Sequence, residues 1–161
     1  MEIELASASD KIAICKLGIA VVRSGDGIYP PQRVKESEES CWAWINERDC
    51  LKAGLVRGES GLIGYGRIEV MDRRAIDICG AGEWVEIARL MVHPQHRRAG
   101  VARSIIAWAL KEKPERSRLG LVVMRDNVVA RRVYEDIGFS YIGEFPGREA
   151  RGVNLVMALG S

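Results

Sequence analysis

The turn at residues 93–104, HPQHRRAGVARS, gathers three arginines around Gly100 directly after the apolar run IARLMV. Pro94 disfavours a helix before it, whereas apolar residues with helical spacing continue from about residue 99 until Pro114 stops them. The turn therefore leads into a helix, whose first main-chain N–H groups lack partners within the helix and carry partial positive charge. Such a turn can bind an anion.

The charge around this turn favours a phosphorylated ligand. Gly100 lets the main chain approach the ligand closely, and Arg97, Arg98 and Arg103 add full positive charges. This charge suits a diphosphate or a ribose phosphate better than a single carboxylate. A solvated basic turn is the alternative that these residues leave open.

The composition predicts one soluble globular domain spanning residues 1–161. Hydrophobic residues make up 47% of the chain and charged residues 29%, which is ordinary for a folded domain. The net charge is only +2. Attraction for a partner must therefore come from local clusters of charge, and we expect no bulk nucleic-acid binding.

Membrane insertion, export and metal binding are not expected. The longest early apolar run, LGIAVV, is too short to span a bilayer, and Glu2 and Glu4 stand where a signal peptide is basic. The four cysteines are widely spaced without a C-x-x-C pair, and both histidines lie elsewhere. We expect reduced cysteines, no metal site and a cytoplasmic protein.

Hydrophobic periodicity predicts strands and helices that form one mixed sheet in the order β-α-α-β-β-β-α-β-α-β-β. The predicted segments, in chain order, are strand 1–5, helix 10–23, helix 32–49, a hairpin of strands 50–56 and 61–70, a loop or ragged hairpin at 71–83, strand 84–92, a helix from about 99, strand 119–125, helix 127–137, strand 139–145 and strand 152–160.

Strand 84–92, WVEIARLMV, alternates between two faces and is predicted to be central in the sheet. The pattern places Glu86, Ala88, Leu90 and Val92 on one face and Val85, Ile87, Arg89 and Met91 on the other.

Two motifs resemble the signatures of the GNAT family of N-acetyltransferases. RRAGVA at residues 97–102 resembles the family's R/Q-x-x-G-x-G/A motif, and it follows EIARLMVHP, which looks like the family's fourth strand. NVVARRVYEDIGF at residues 127–139 resembles the second signature. The likeness covers roughly residues 50–145 and implies an α/β fold of the α+β kind, with about six to seven strands, about four helices and splayed strands 4 and 5.

The resemblance implies acetyl-coenzyme A (acetyl-CoA) as cosubstrate, bound where the splayed strands part. The main chain of Leu90, Met91 and Val92 would pair with its pantetheine arm, and Asn127 and Ala130 would border the other wall. Its diphosphate would lie on the turn formed by Arg97, Arg98, Ala99, Gly100, Val101, Ala102 and Arg103, where Ala102 stands in place of the glycine of many relatives.

The resemblance also implies roles in acetyl transfer to an amine. The Val92 N–H would stabilise the oxyanion, and Tyr134 would protonate the departing sulfur. Glu86, expected to share a face with Ala88 and Leu90, would take the ammonium proton through a water molecule. Alternatives remain: Tyr134 as a core aromatic, and Glu86 as the partner of an arginine such as Arg89, with Glu83 as a weaker substitute base.

The acceptor is expected to be a primary amine of a small molecule or a protein. We expect it to be framed by the N-terminal helices, the 71–83 segment and the 143–152 connection. The tryptophans are expected to be core residues or part of the acceptor wall, for which Trp84 is the best candidate. LGLVVM contains no glutamate, which departs from family members that acetylate protein N-termini. His93 and His96 are expected in loop roles.

Two other classes of function remain open. A non-catalytic sensor or scaffold that binds acyl-CoA would use the same fold without turnover. A nucleic-acid-binding protein would need stacking aromatic residues beside the arginines, and HRRAGVAR contains none. A homodimer is also compatible with the sequence.

Overall fold

The computed structural model describes residues 1–24, 32–147 and 152–160, and its centre is a mixed sheet with the strand order β1-β2-β3-β4-β5-β7-β6. The strands are β1 Glu4–Leu5, β2 Cys50–Gly58, β3 Gly61–Val70, β4 Trp84–Val92, β5 Arg118–Met124, β6 Phe139–Pro146 and β7 Val153–Leu159. The helices are α1 Lys11–Arg23, α2 Glu38–Ile45, α3 Arg73–Cys79, α4 Val101–Glu112 and α5 Val128–Ile137. The predicted mixed α/β sheet is confirmed.

Strands β4 and β5 run parallel and pair only where they begin. The Cα partners are Trp84 with Arg118, Val85 with Leu119, and Glu86 with Gly120. All the other neighbouring strands of the described sheet are antiparallel. Beyond Glu86 the two strands part, so the expected splay is confirmed and the rest of β4 has an edge that β5 does not cover.

The helices cover the two faces of the sheet separately. Helices α4 and α5 pack on one face, over a core that includes the fully buried Ile105 and Ile106. Helices α1 and α2 cover the opposite face around Tyr65, and α3 covers that face over β6 and β7. Burial of these apolar side chains is the main term that stabilises the fold.

A β-bulge in β4 changes which side chains share a face. Arg89 and Leu90 together oppose the single residue Gly66 of β3, and Arg89 has a left-handed backbone with φ of 53°. One extra residue moves every later side chain to the other face. Leu90 and Val92 therefore pack on the α4 face, and the predicted grouping with Glu86 and Ala88 is wrong.

The segment 71–83, predicted as a loop or ragged hairpin, contains helix α3. The Asp72 side chain caps this helix by accepting a hydrogen bond from the Arg74 N–H at 2.8 Å. Ala75 is fully buried against the sheet. A helix of seven residues is too short to show a repeating apolar pattern, which is why periodicity missed it.

The predicted helix 32–49 is divided at Ser37. Residues Gln32–Glu36 form a 3-10 segment, and Ser37 then caps α2 by accepting a hydrogen bond from the Ser40 N–H at 3.0 Å. A serine side chain that caps a helix holds its own backbone in an extended conformation, so the two helical segments cannot be continuous.

Two glycines in β3 let α4 lie close against the sheet. A Cβ at Gly64 would overlap Val101 and lie 3.0 Å from Ile105 Cδ1, and a Cβ at Gly66 would lie 2.7 Å from Ile105 Cγ2. The missing side chains therefore set the height of α4, and of the turn that leads into it, above the sheet.

Gly64→Ala should lower the free energy of unfolding by about 1 to 3 kcal/mol, because the added methyl group must displace Val101. Urea unfolding followed by circular dichroism measures this change. Gly160→Ala is the control, since a Cβ there meets nothing within 4 Å. Equal unfolding free energies for the two variants would contradict this account of how α4 is placed.

Candidate active site

The turn between β4 and α4 follows a defined backbone course. After a 3-10 segment, Pro94–His96, Arg97 is extended, and Arg98 and Gly100 both have positive φ, at 63° and 82°. A Cβ at Gly100 would meet nothing within 4 Å, so glycine is favoured by its backbone conformation and not by lack of space. Gly100 is the N-cap of α4 and provides no side-chain cap.

The main-chain N–H groups from Arg98 to Arg103 have no hydrogen-bond partner among the described residues. The Ser104 N–H, next in the chain, donates to the Gly100 carbonyl at 3.0 Å. Arg98, Ala99 and Arg103 are exposed, Ala102 is half-buried and Val101 is buried. The predicted anion site therefore has main-chain donors and two exposed guanidinium groups around an open turn.

The Arg97 side chain reaches the end of α1. Its Nη2 lies 3.4 Å from the Ser24 hydroxyl at the end of α1, and the side chain is half-buried. This contact links the turn to the helices on the opposite face of the sheet.

The edge of β4 continues the site from the turn into the gap between β4 and β5. The His93 N–H donates to the Ile63 carbonyl at 2.8 Å, on the β3 side. Because successive N–H groups of a strand point to opposite edges, the Val92 N–H faces the gap. The side chains of Leu90 and Val92 are half-buried toward α4, whereas Met91 is buried toward α1 and α2.

Glu86 lies at the apex of the gap, as the last residue of β4 paired with β5. Its Oε1 accepts hydrogen bonds from Arg48 Nη1 at 3.2 Å and from the Asp72 N–H at 3.3 Å, and Oε2 has no partner among the described residues. The residue is only 6% exposed, and this burial raises the pKa of Glu86 although Arg48 opposes the rise.

Residues 127–139 begin beyond the end of β5, across the gap from β4. Asn127 caps α5, with its Oδ1 3.3 Å from the Ala130 nitrogen, which donates the hydrogen bond. Tyr134 is half-buried, and its ring meets that of Phe139 edge to face, with the centroids 6.1 Å apart. Ala130 and Tyr134 both pack against the core on the α4 face.

The amino-acid sequence matches the model of the acetyltransferase (GNAT) family over residues 22–139. The chain belongs to the GNAT family. No curated protein sequence matches it significantly. The family assignment confirms the resemblance found in the two sequence motifs, and it makes this protein an acetyltransferase.

Solved structures of low sequence identity share the fold. A PaiA N-acetyltransferase from Thermoplasma acidophilum, in complex with coenzyme A, is 18% identical with a TM-score of 0.68, and the match covers 100% of both chains. The ribosomal-protein-S18-alanine N-acetyltransferase from Escherichia coli is 20% identical with a TM-score of 0.65, over 98% of this chain and 92% of that one. The yncA protein from Salmonella typhimurium, with its cofactor acetyl-CoA, is 18% identical with a TM-score of 0.67, over 98% of this chain and 91% of that one.

A buried ion network, which the sequence analysis missed, surrounds Glu86 in this GNAT acetyltransferase. Glu69 of β3 is the Cα partner of Glu86 and is 1% exposed. Its carboxylate lies 2.9 Å from Arg67 Nε and 3.6 Å from Arg48 Nε. Burial raises the pKa of Glu69, and the two arginines oppose the rise. The available signal was Arg67 and Glu69, two opposite charges at same-face spacing inside an otherwise apolar strand.

Arg89 has a different partner from the one that the sequence suggested. Its Nη2 lies 3.1 Å from Glu47 Oε2, its Nε donates to the Trp44 carbonyl at 3.2 Å, and its guanidinium stacks 4.6 Å from the centre of the Trp44 ring. The cation beside Glu86 is Arg48. Sequence spacing could not identify this pair, because the two residues are 38 positions apart.

Of the two roles expected for Trp84, core residue or acceptor wall, the structure shows the first. Trp84 is 5% exposed in the cluster under α3, and the Arg118 guanidinium lies 4.4 Å from the centre of its ring. His93 has the expected loop role, since its Nδ1 accepts a hydrogen bond from the Gln95 N–H at 3.2 Å.

Part of the expected acceptor frame, residues 148–151 of the 143–152 connection, lies outside the described residues, as does the segment 25–31 between the two predicted N-terminal helices. Cys15, Cys41, Cys50 and Cys79 all lie inside them and are free thiols. None of the described helices combines the length and apolar character that crossing a membrane requires.

Arg67→Met should lower the free energy of unfolding by about 3 to 5 kcal/mol, because it leaves the buried Glu69 carboxylate without its nearest cation. The difference in unfolding free energy between the variant and the parent should become smaller at lower pH, since a protonated Glu69 needs no counter-charge. Guanidinium chloride unfolding at several pH values measures both effects.

Arg73→Met is the matched control. Arg73 pairs with Asp77 at 3.7 Å, and the two side chains are 88% and 70% exposed. Its loss should change the unfolding free energy by less than about 1 kcal/mol. If Arg67→Met were as stable as this control, the network would have no role in stability.

Proposed function

We propose that this enzyme transfers the acetyl group of acetyl-CoA to a primary amine of a small molecule or a protein, by direct attack in a ternary complex. One observation carries the proposal. Three features follow one another along one gap in the sheet: the N–H groups of residues 98–103, which have no partner among the described residues, the edge of β4 that β5 does not cover, and the carboxylate of Glu86. The solved neighbours that are named N-acetyltransferases support an amine as acceptor.

Acetyl-CoA brings the acetyl group as an activated thioester. The N–H groups of Arg98 to Arg103 bind its diphosphate, and the side chains of Arg98 and Arg103 add charge from solvent-exposed positions. The fit is supported by the open space beside Gly100, where an added Cβ would meet no atom of the described residues within 4 Å. Arg97 borders the site through its contact with Ser24.

The main chain of Leu90, Met91 and Val92 pairs with the amides of the pantetheine arm, as an added strand pairs with a sheet edge. This pairing uses hydrogen-bonding groups of β4 that β5 leaves uncovered. Asn127 and Ala130, at the start of α5, border the opposite side of the arm.

Three groups act on the reacting atoms. The amine nitrogen attacks the thioester carbon, and the Val92 N–H stabilises the carbonyl oxygen as it gains negative charge. The carbon–sulfur bond breaks, and Tyr134 donates a proton to the departing sulfur. Glu86 takes the proton that the ammonium group loses.

The Oε2 of Glu86, which has no partner among the described residues, is the atom that accepts this proton, since Oε1 already accepts two hydrogen bonds. Because the carboxylate is buried, a water molecule relays the proton to it. Burial raises the pKa of Glu86, which makes it a stronger base than an exposed glutamate.

The acceptor can be found by screening a library of amines for release of free coenzyme A thiol. The absence of a glutamate from LGLVVM in β5 argues for acceptors other than protein N-termini. Four free thiols support a reducing compartment such as the cytoplasm.

Gly100→Val should weaken coenzyme A binding by at least about tenfold, because a β-branched residue does not hold positive φ and the donors would no longer converge on the diphosphate. Isothermal titration calorimetry measures this affinity. Gly80→Val is the control: Gly80 has φ of 85° and open space but ends α3 instead of beginning α4. Equal affinities for the two variants would refute the diphosphate site.

Glu86→Gln should lower kcat/KM at neutral pH by at least about tenfold and remove one ionisation from the acid side of the pH profile. In the parent, the rate rises with pH as Glu86 loses its proton, at a pH above the normal glutamate range because its pKa is raised. Glu112→Gln, which removes a surface carboxylate paired with Lys52, should leave the profile unchanged. If Glu86→Gln kept the parent profile, the base would have to be another group.

A further inference from the structure

Two buried carboxylates face each other at the apex of the gap. Glu69 and Glu86 are directly opposite on β3 and β4, and they are 1% and 6% exposed. Like charges at such positions repel, and burial makes each charge costly. Something must stabilise both charges if Glu86 is to act as a base.

Arg48 lies between the two carboxylates. Its Nε is 3.6 Å from Glu69 Oε1, its Nη1 is 3.2 Å from Glu86 Oε1, and its Nη2 donates to the Val70 carbonyl. All three nitrogens are therefore engaged within the protein. The side chain is 29% exposed, and each of its three nitrogens already has a carboxylate or carbonyl oxygen of the protein as a neighbour.

Arg48 lies in a corner of the chain between α2 and β2, formed by residues 46–49. Residues of the sheet hold this corner in place. Arg67 donates to the Asn46 Oδ1 at 2.9 Å and to the Arg48 carbonyl at 2.8 Å. Arg89, at the bulge of β4, contacts Glu47 and the Trp44 carbonyl. Arg67 and Arg89 of the sheet thus hold the corner in place, and Arg48 extends from the corner to the two carboxylates of the sheet.

We propose that Arg48 is a positioning residue, which holds Glu86 in place and keeps it in the charged form that accepts the ammonium proton. The inference rests on the proposed role of Glu86 as the base. Arg48 acts through Glu86 and is not expected to touch the acceptor or the cofactor.

The other groups that face Glu86 do not supply this charge. The Asp72 N–H donates to Oε1, but the Asp72 carboxylate is paired with Arg74. Glu69 is a like charge, which raises the pKa of Glu86, and the Cys79 thiol on α3 is neutral because burial raises its pKa. Gly120, opposite on β5, has no side chain. Arg48 is the only cation within ion-pair distance of Glu86 among the described residues.

The test is a titration of Glu86 by NMR, in protein labelled with ¹³C at the glutamate side-chain carboxyl. The Glu86 signal is the one that Glu86→Gln lacks. Arg48→Gln should move the titration midpoint of that signal to higher pH, since an opposite charge is lost beside it. Arg48→Lys should give an intermediate midpoint, because one ammonium can hold only one carboxylate where the guanidinium holds two.

The pH dependence of turnover should follow the charge state of Glu86. With an amine found in the thiol-release screen, Arg48→Gln should lower the rate at neutral pH by about tenfold and recover it at alkaline pH, whereas a structural defect would lower it at every pH. Arg57→Gln is the matched control, because Arg57 also joins two carboxylates, Glu4 at 3.0 Å and Asp10 at 2.7 Å, in a different part of the molecule. It should leave the midpoint and the pH profile unchanged.

An unchanged Glu86 midpoint in both Arg48 variants would overturn the proposal. If Arg48→Gln does not fold, the midpoint in Arg48→Lys decides by itself, and a value equal to the parent's again overturns it. A different result would show that Glu86 is not the base: Glu86→Gln would keep the parent's pH profile. The NMR midpoint would still report whether Arg48 controls the charge of Glu86.

Discussion

The parting of β4 from β5 after Glu86 and Gly120 is the constraint on which the site depends. Where a parallel pair stops, the N–H and C=O groups of the exposed edge need other partners, because unpaired buried groups are costly. Next to this edge, the start of α4 adds further N–H groups without partners in the described chain. An extended ligand with amides along its length and phosphates at one end matches the two sets of groups in order.

The bulge at Arg89 and Leu90 changes the face of the sheet to which the later side chains of β4 point. Before it, Glu86 points toward the corner after α2 and the start of α3. After it, Leu90 and Val92 point toward α4, which Gly64 and Gly66 allow to lie close to β3. In a regular strand these side chains would share the face of the carboxylate. The bulge therefore puts the side chains of the edge proposed to bind the cofactor on the opposite face of the sheet from Glu86, the proposed base.

The features that could be predicted from sequence are those whose signal is local. Pro94, Gly100 and the apolar spacing after them predicted a strand, a turn and a helix, and the turn lies where it was predicted. Helix α3 was missed because seven residues capped by Asp72 show no periodicity. The prediction that Leu90 and Glu86 share a face was wrong, because the amino-acid sequence of a strand does not show where a β-bulge lies. The pairing of Glu86 with Arg48 depends on how α2 meets the sheet, which no spacing along the chain encodes.

Stability alone does not account for the ion network around Glu86. Burying charges costs solvation free energy, and well-packed apolar residues of similar volume often stabilise a protein as much or more. The sheet already has extensive apolar cores on both faces. Yet Glu69, Arg67 and Glu86 are all nearly inaccessible, at the one point where β4 leaves β5. The proposed role of Glu86 as a base requires a charged carboxylate in such a place, and hence cations in fixed positions. Arg67 pairs with Glu69 and holds the corner from which Arg48 reaches Glu86.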